Sequence, residues 1–162
     1  MITMTSRLRK LALLAHIIFS VGWLGSVAGF LALAATGVTS RNIQIVRAAY
    51  LAMVPITWFV IVPLAFTSFL TGLLLSLGTP WGLFRHYWVL GKLLINFLSI
   101  PILLLHTRVI DHMAGAAARG NLSDADLAGP GVQLIVTAIA ALAALLTATI
   151  LSVYKPRGIT PF

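Results

Sequence analysis

The chain has 162 residues, 60% of them hydrophobic, and a mean hydropathy of +1.04. It carries 11 Lys and Arg against 3 acidic residues, all Asp, for a net charge of +8. A soluble domain is about a quarter charged, and one core of this length cannot hide so much apolar surface from water, so a soluble enzyme, a nucleic-acid-binding domain and a disordered chain are excluded. Cys is absent, which removes disulfides, thiolate metal sites, Cys nucleophiles and iron–sulfur clusters.

Four apolar stretches, at about 11–35, 51–77, 87–107 and 131–154, are each long enough to cross a hydrocarbon core ~30 Å thick at ~1.5 Å per residue. Lipid does not tolerate unpaired backbone, and the runs lack the period-two alternation of a barrel. The expected fold class is therefore all-α, a four-transmembrane-helix bundle forming one integral membrane domain over residues 1–162.

The first span follows Arg7, Arg9 and Lys10 and is far longer than a signal-peptide core, which makes it a retained anchor. It holds His16, Trp23 and a row of small residues, Ala12, Ala15, Gly22, Ser26 and Gly29. Gly25 and Gly29 form a GxxxG, which permits close helix approach within the chain or between two copies in a homodimer. Ser40-Arg41-Asn42 opens a connection read as a short interfacial helix running into Tyr50. Pro55 and Pro63 interrupt the second span; each removes a backbone donor and kinks its helix. Thr57, Thr67, Ser68 and Thr71 stand nearby to satisfy the freed carbonyls.

Gly78-Thr79-Pro80-Trp81-Gly82 reads as a tight turn. The third helix is expected to continue past the membrane to about Arg119, with Pro101 inside it and Asn121 stopping it. Ser123-Asp124-Ala125-Asp126 reads as a capping box. Gly129-Pro130-Gly131 then starts the fourth span, whose Ala-rich stretch from Ala138 to Ala148 is a close-packing element.

Seven cations, Arg7, Arg9, Lys10, Arg85, Lys92, Lys155 and Arg157, fall on the side of the termini, against Arg41, Arg47, Arg108 and Arg119 on the other. The positive-inside rule predicts both termini in the cytoplasm and a multi-pass protein of the inner membrane. Trp81, Tyr87, Trp88 and Tyr154 form the aromatic belt of that side. The basic charge itself is a topology signal and a contact to anionic lipid rather than a nucleic-acid footprint.

Arg85, Trp88, Lys92, Asn96, Ser99, Leu103 and His106 recur at spacings of three or four and so share one stripe of the third helix. Ionisable residues in such a stripe point to function. The plainer reading has Arg85 and Lys92 snorkelling to the interface, and Asn96 and Ser99 bonding neighbouring helices. His16 also carries two readings: a structural hydrogen bond to a hydroxyl, or ligation of a haem iron. His16 and His106 lie at different depths, so one-His ligation or two separate sites fit better than a bis-His pair.

Arg9-Lys10, Leu13-Leu14-Ala15-His16-Ile17-Ile18 and Trp23-Leu24-Gly25 resemble the first helix of HemJ-type protoporphyrinogen oxidases and CopD-type copper-resistance proteins, with the His-to-Trp interval as the shared feature. Trp88-Val89-Leu90-Gly91-Lys92-Leu93-Leu94 with His106 downstream resembles their Trp/Lys helix. The whole chain, including Leu151 to Gly158, is similar to an uncharacterised family of small bacterial four-span membrane proteins. The HemJ resemblance implies a haem-associated role for His16 and a functional role for Lys92; the oxidase's Leu-Pro-Arg segment after the first helix is absent.

Two functions are carried forward. One is a haem- or porphyrin-binding redox bundle, binding haem b or a porphyrin through candidates His16, His106, Lys92 and Trp23, with His16 on the iron. The other is a non-catalytic assembly partner or small-molecule-binding membrane protein whose polar stripe is structural.

Overall fold

A computed structural model describes residues 4–78 and 86–155. The expectations resting on Thr79 to Arg85 and on Pro156 to Gly158 lie outside them. Four helices are long and apolar enough to cross a membrane: α1 (Ser6–Thr39), α2 (Ile43–Leu77), α3 (Tyr87–Arg119) and α4 (Asp124–Tyr154). Each packs on its chain neighbours, and α4 closes the ring on α1. Met4 N–H reaches the Gly78 carbonyl (3.4 Å), and Gly91 of α3 meets Leu151 of α4, so both termini lie at one end of an up-down bundle. That end is called here the termini end and the other the distal end.

Each helix outlasts the apolar stretch that announced it, because its caps lie outside that stretch. Thr5 Oγ1 accepts from Leu8 N–H, and Asn42 Oδ1 accepts from Gln44 N–H. Side-chain oxygens thus satisfy donors that the first turn leaves free. Asn42 corrects one expectation: no separate interfacial helix precedes Tyr50. The helix starting at Ile43 is continuous with the span, and it buries Val46, Ala49, Tyr50 and Met53 against the bundle.

A capping box at Ser123 and Asp126 starts α4, seven residues ahead of the expected start at Gly131. The helix absorbs Pro130 in a wide turn, Leu127–Gly131. The stop of α3 also differs: Gly120, at φ 71°, adopts the left-handed conformation, and Asn121 N–H bonds back to the Ala116 carbonyl. Glycine takes this conformation without steric penalty. Pro101 sits inside α3, which continues as α-helix on both sides of it.

In α2 a second wide turn, Thr57–Ile61, lies between Pro55 and Pro63, with Val62 N–H reaching the Thr57 carbonyl. The two prolines withdraw donors for the carbonyls of Leu51 and Phe59, one turn behind each. Thr67 and Thr71 do not supply the replacement. Their hydroxyls donate to Pro63 and Thr67 carbonyls, both at 2.7 Å.

The core runs through the distal half, where Ala34, Tyr50, Met53, Met113 and Leu134 are fully enclosed. Tyr50 fits a slot between two glycines. A Cβ on Gly37 of α1 would come within 2.7 Å of its ring, and one on Gly131 of α4 within 2.9 Å of its hydroxyl. Three helices meet there only because both positions lack a side chain.

Candidate functional site

The four candidate residues fall into three places. Trp23 and His106 line one cavity of about 180 Å³ at mid-bundle, walled by all four helices. Its lining is almost entirely apolar: Val27 and Phe30 from α1, Ile61 from α2, Leu103 and Ile110 from α3, and Ala138 to Leu145 from α4. Two polar atoms in this wall, Thr57 Oγ1 and His106 Nε2, are buried without a hydrogen-bond partner. Unpaired buried polar atoms cost roughly 1–3 kcal/mol each, so they are retained where something satisfies them.

The wide turn explains how Thr57 arrives there. Its backbone N–H is shared between the Met53 and Val54 carbonyls, and its own carbonyl takes Val62 N–H. The side chain of this completely buried residue is left over at the cavity wall. Wide turns inside helices recur at functional sites for this reason. Thr57 was legible in the sequence only as a hydroxyl near a proline. The flanking pair Pro55 and Pro63, spaced two turns apart, is the signal that marks it.

Ile102 of α3 and Ala140 of α4 line the cavity and are also exposed on the outside of the bundle. The mouth therefore opens sideways between α3 and α4, onto the surface that lipid covers.

His16 lies elsewhere, between α1 and α2. Its Nδ1 is 3.1 Å from the Ser68 carbonyl and 3.1 Å from Thr71 Oγ1. A carbonyl only accepts, so Nδ1 carries the proton and Nε2 keeps the lone pair. Ser20 and Ser68 hydroxyls share a bond at 2.8 Å one turn further along. Gly72 makes room for the imidazole: a Cβ there would stand 3.0 Å from Cε1. At ~1.5 Å per residue, Ser68 and Thr57 are about 16 Å apart along α2, so His16 and His106 belong to separate sites.

Lys92 is half-buried on α3, its Nζ 5.5 Å from the centre of the Trp88 ring, a cation–π arrangement. The stripe of Trp88, Lys92, Asn96, Ser99, Leu103 and His106 is half-buried throughout, whereas Leu94, Phe97, Ile102 and Leu105 are exposed. Asn96 and Ser99 do not bond neighbouring helices, as the plainer reading had it. They donate to carbonyls of their own helix, Lys92 at 2.8 Å and Ile95 at 2.7 Å. His112 is exposed at the distal end and pairs with Asp126 at 3.3 Å. Among the described residues no three metal-ligating side chains come together.

Gly25 and Gly29 face away from the bundle; an added Cβ at either meets nothing within 4 Å. Gly22 faces inward, toward Leu64 of α2. The expected single seam of small residues is thus divided between two faces of α1.

No family model, curated protein or solved structure matches the chain. The function rests on the site alone.

Proposed function

We propose that this four-span membrane protein binds a small apolar molecule bearing a hydroxyl, taken up from the bilayer into the cavity between its helices. The carrying observation is the pair of unpartnered atoms, Thr57 Oγ1 and His106 Nε2, in a mostly apolar wall whose other hydroxyls, Ser99 and Thr137, donate to carbonyls of their own helices. A ligand hydroxyl donates and accepts, so it serves both atoms whichever imidazole nitrogen holds the proton. An apolar cavity of about 150 Å³ holds a benzene-sized molecule, so a ligand of one or two rings matches this volume, while a macrocycle exceeds it.

Titration with 2-naphthol tests the reading through quenching of Trp23. Saturable quenching is expected in the wild type and lost in Trp23→Phe. Ala141→Leu, which fills the cavity, should abolish binding while leaving the helical circular dichroism intact. Saturable binding that survives Ala141→Leu would place the ligand elsewhere and end this reading.

A second reading, haem or porphyrin at His16, is favoured by one observation: Nδ1–H donates to a carbonyl, the arrangement that orients a metal-binding imidazole and leaves Nε2 as the donor atom. Haem held there would supply one-electron chemistry. A Soret band that disappears in His16→Ala and persists in His112→Ala supports it; purification with haem present and no visible absorption removes it.

The cation count supports an inner-membrane protein with both termini cytoplasmic, which reporters fused after Asn121 and after Lys155 test by reporting opposite sides. The outward Gly25 and Gly29 face would pair two copies of the chain. With no native Cys, oxidative cross-linking of Gly25→Cys in membranes reads that contact directly.

A further inference from the structure

We propose that the ligand of the cavity is a neutral alcohol or phenol with a hydrocarbon tail, its head inside and its tail in the bilayer; this rests on the small-molecule binding proposed above. The cavity is closed on one side and open on the other. Trp23, Val27, Phe30, Thr57 and Ile61, which α1 and α2 contribute to its wall, are all buried. Ile102 on α3 and Ala140 on α4 line it and are exposed. Thr57, with its unpartnered hydroxyl, therefore stands in the closed wall. A ligand hydroxyl bonded to it is the inner end of the molecule, and the remainder points to the mouth.

The place of the mouth fixes what can reach it. Ile102 and Ala140 stand next to the midpoints of α3 and α4, helices of 33 and 31 residues. A hydrocarbon layer ~30 Å thick covers the middle of a helix ~46–50 Å long, wherever along it the layer sits. The ligand therefore enters from hydrocarbon. From Leu11 to Ser40, Ala48 to Gly78, Leu93 to Thr107 and Leu127 to Tyr154 the chain has no Lys, Arg, Asp or Glu. A charged head has no counter-charge at this level, and a neutral one needs none. A tail concentrates such a head in the membrane, each methylene raising its partition about fourfold. The α4 side of the mouth lets a tail pass, since Ala140, Ala141 and Ala144 present only methyl groups there. With room inside for one or two rings, a longer molecule keeps its tail outside.

The test uses full-length protein in phosphatidylcholine vesicles, with quenching of Trp23 by 2-naphthol as the signal and competitors dosed per mole of lipid. 4-Dodecylphenol should displace 2-naphthol at a mole fraction no higher than 4-ethylphenol needs. Dodecylbenzene, which has the tail without the hydroxyl, should not displace it. Ala140→Phe narrows the mouth and should weaken 4-dodecylphenol about tenfold while changing 4-ethylphenol less than about twofold. Ile102→Phe, on the opposite lip, should act in the same direction. Leu146→Phe, on the outer surface of α4, should alter neither competitor. Saturable quenching by 2-naphthol that 4-dodecylphenol does not reverse overturns the tail and leaves small-molecule binding standing. So does equal weakening of both phenols by Ala140→Phe and Ile102→Phe in variants of unchanged helical circular dichroism. Equal displacement by dodecylbenzene overturns the hydroxyl head. Absence of saturable quenching by 2-naphthol ends the binding reading itself, and the tailed ligand with it.

Discussion

The two ends of the bundle are held together by different means. At the distal end Tyr50, Met53, Met113 and Leu134 are sealed, and the glycines at 37 and 131 set how closely three helices approach. Toward the termini end α1 and α2 are joined by hydrogen bonds as well as packing, His16 to Ser68 and Thr71 and Ser20 to Ser68, with Ser68 buried and the other three half-buried. The reason is the solvent at each level. Helices of 31 to 35 residues are ~46–53 Å long against a hydrocarbon thickness of ~30 Å. The distal turns, marked by Arg41, Arg47, Asp111, Arg119, Asp124 and Asp126, stand outside the hydrocarbon, where burying apolar surface drives association. Within lipid that force is absent between helices, and close packing and interhelical hydrogen bonds take its place.

The largest effect expected from this contrast is at Tyr50. Removing a fully buried aromatic costs about 3–5 kcal/mol, so Tyr50→Ala should lower the unfolding midpoint in detergent strongly. Phe97→Ala, at a residue 61% exposed on the outer surface of α3, should leave it almost unchanged. Similar losses for the two would mean that the distal half is not the core.

Gly37→Ala comes next. Its Cβ meets the Tyr50 ring at 2.7 Å, and overpacking of this kind costs about 1–3 kcal/mol. Gly25→Ala, with open space around it, should cost nothing in the monomer. A smaller loss, roughly 0.6–2 kcal/mol, is expected for His16→Ala, the range of hydrogen bonds between membrane helices. A double-mutant cycle with Thr71→Val should show that the two residues share that energy; strict additivity would dissolve the pair.

The smallest effect belongs to Tyr50→Phe. The hydroxyl is buried without a partner, and deleting an unpaired hydroxyl is neutral or stabilises by about 1 kcal/mol. A clear loss of stability would reveal a partner, such as a buried water, at the Gly131 notch.

Four helices and their order were legible in the sequence because the signal is local. A run such as Leu127 to Tyr154 is long enough and apolar enough to span lipid whatever it packs against. The capping box at Ser123 was equally local. The stretch from Ile43 to Tyr50 misled, because Gln44 and Arg47 give it the look of an interfacial helix. Its burial depends on glycines at 37 and 131, which no window along the chain brings next to Tyr50.

The candidate site divides along the same line. Composition and spacing were enough to single out His16, Trp23, Lys92 and His106, since polar and aromatic groups stand out in an apolar chain. The tertiary structure alone decided that Trp23 and His106 share a cavity and that His16 spends its Nδ1 proton on α2. It alone left Thr57 without a partner. Hydropathy is summed residue by residue and survives any packing, whereas a cavity and an unpaired atom are properties of the space between helices, which exists only once all four have met.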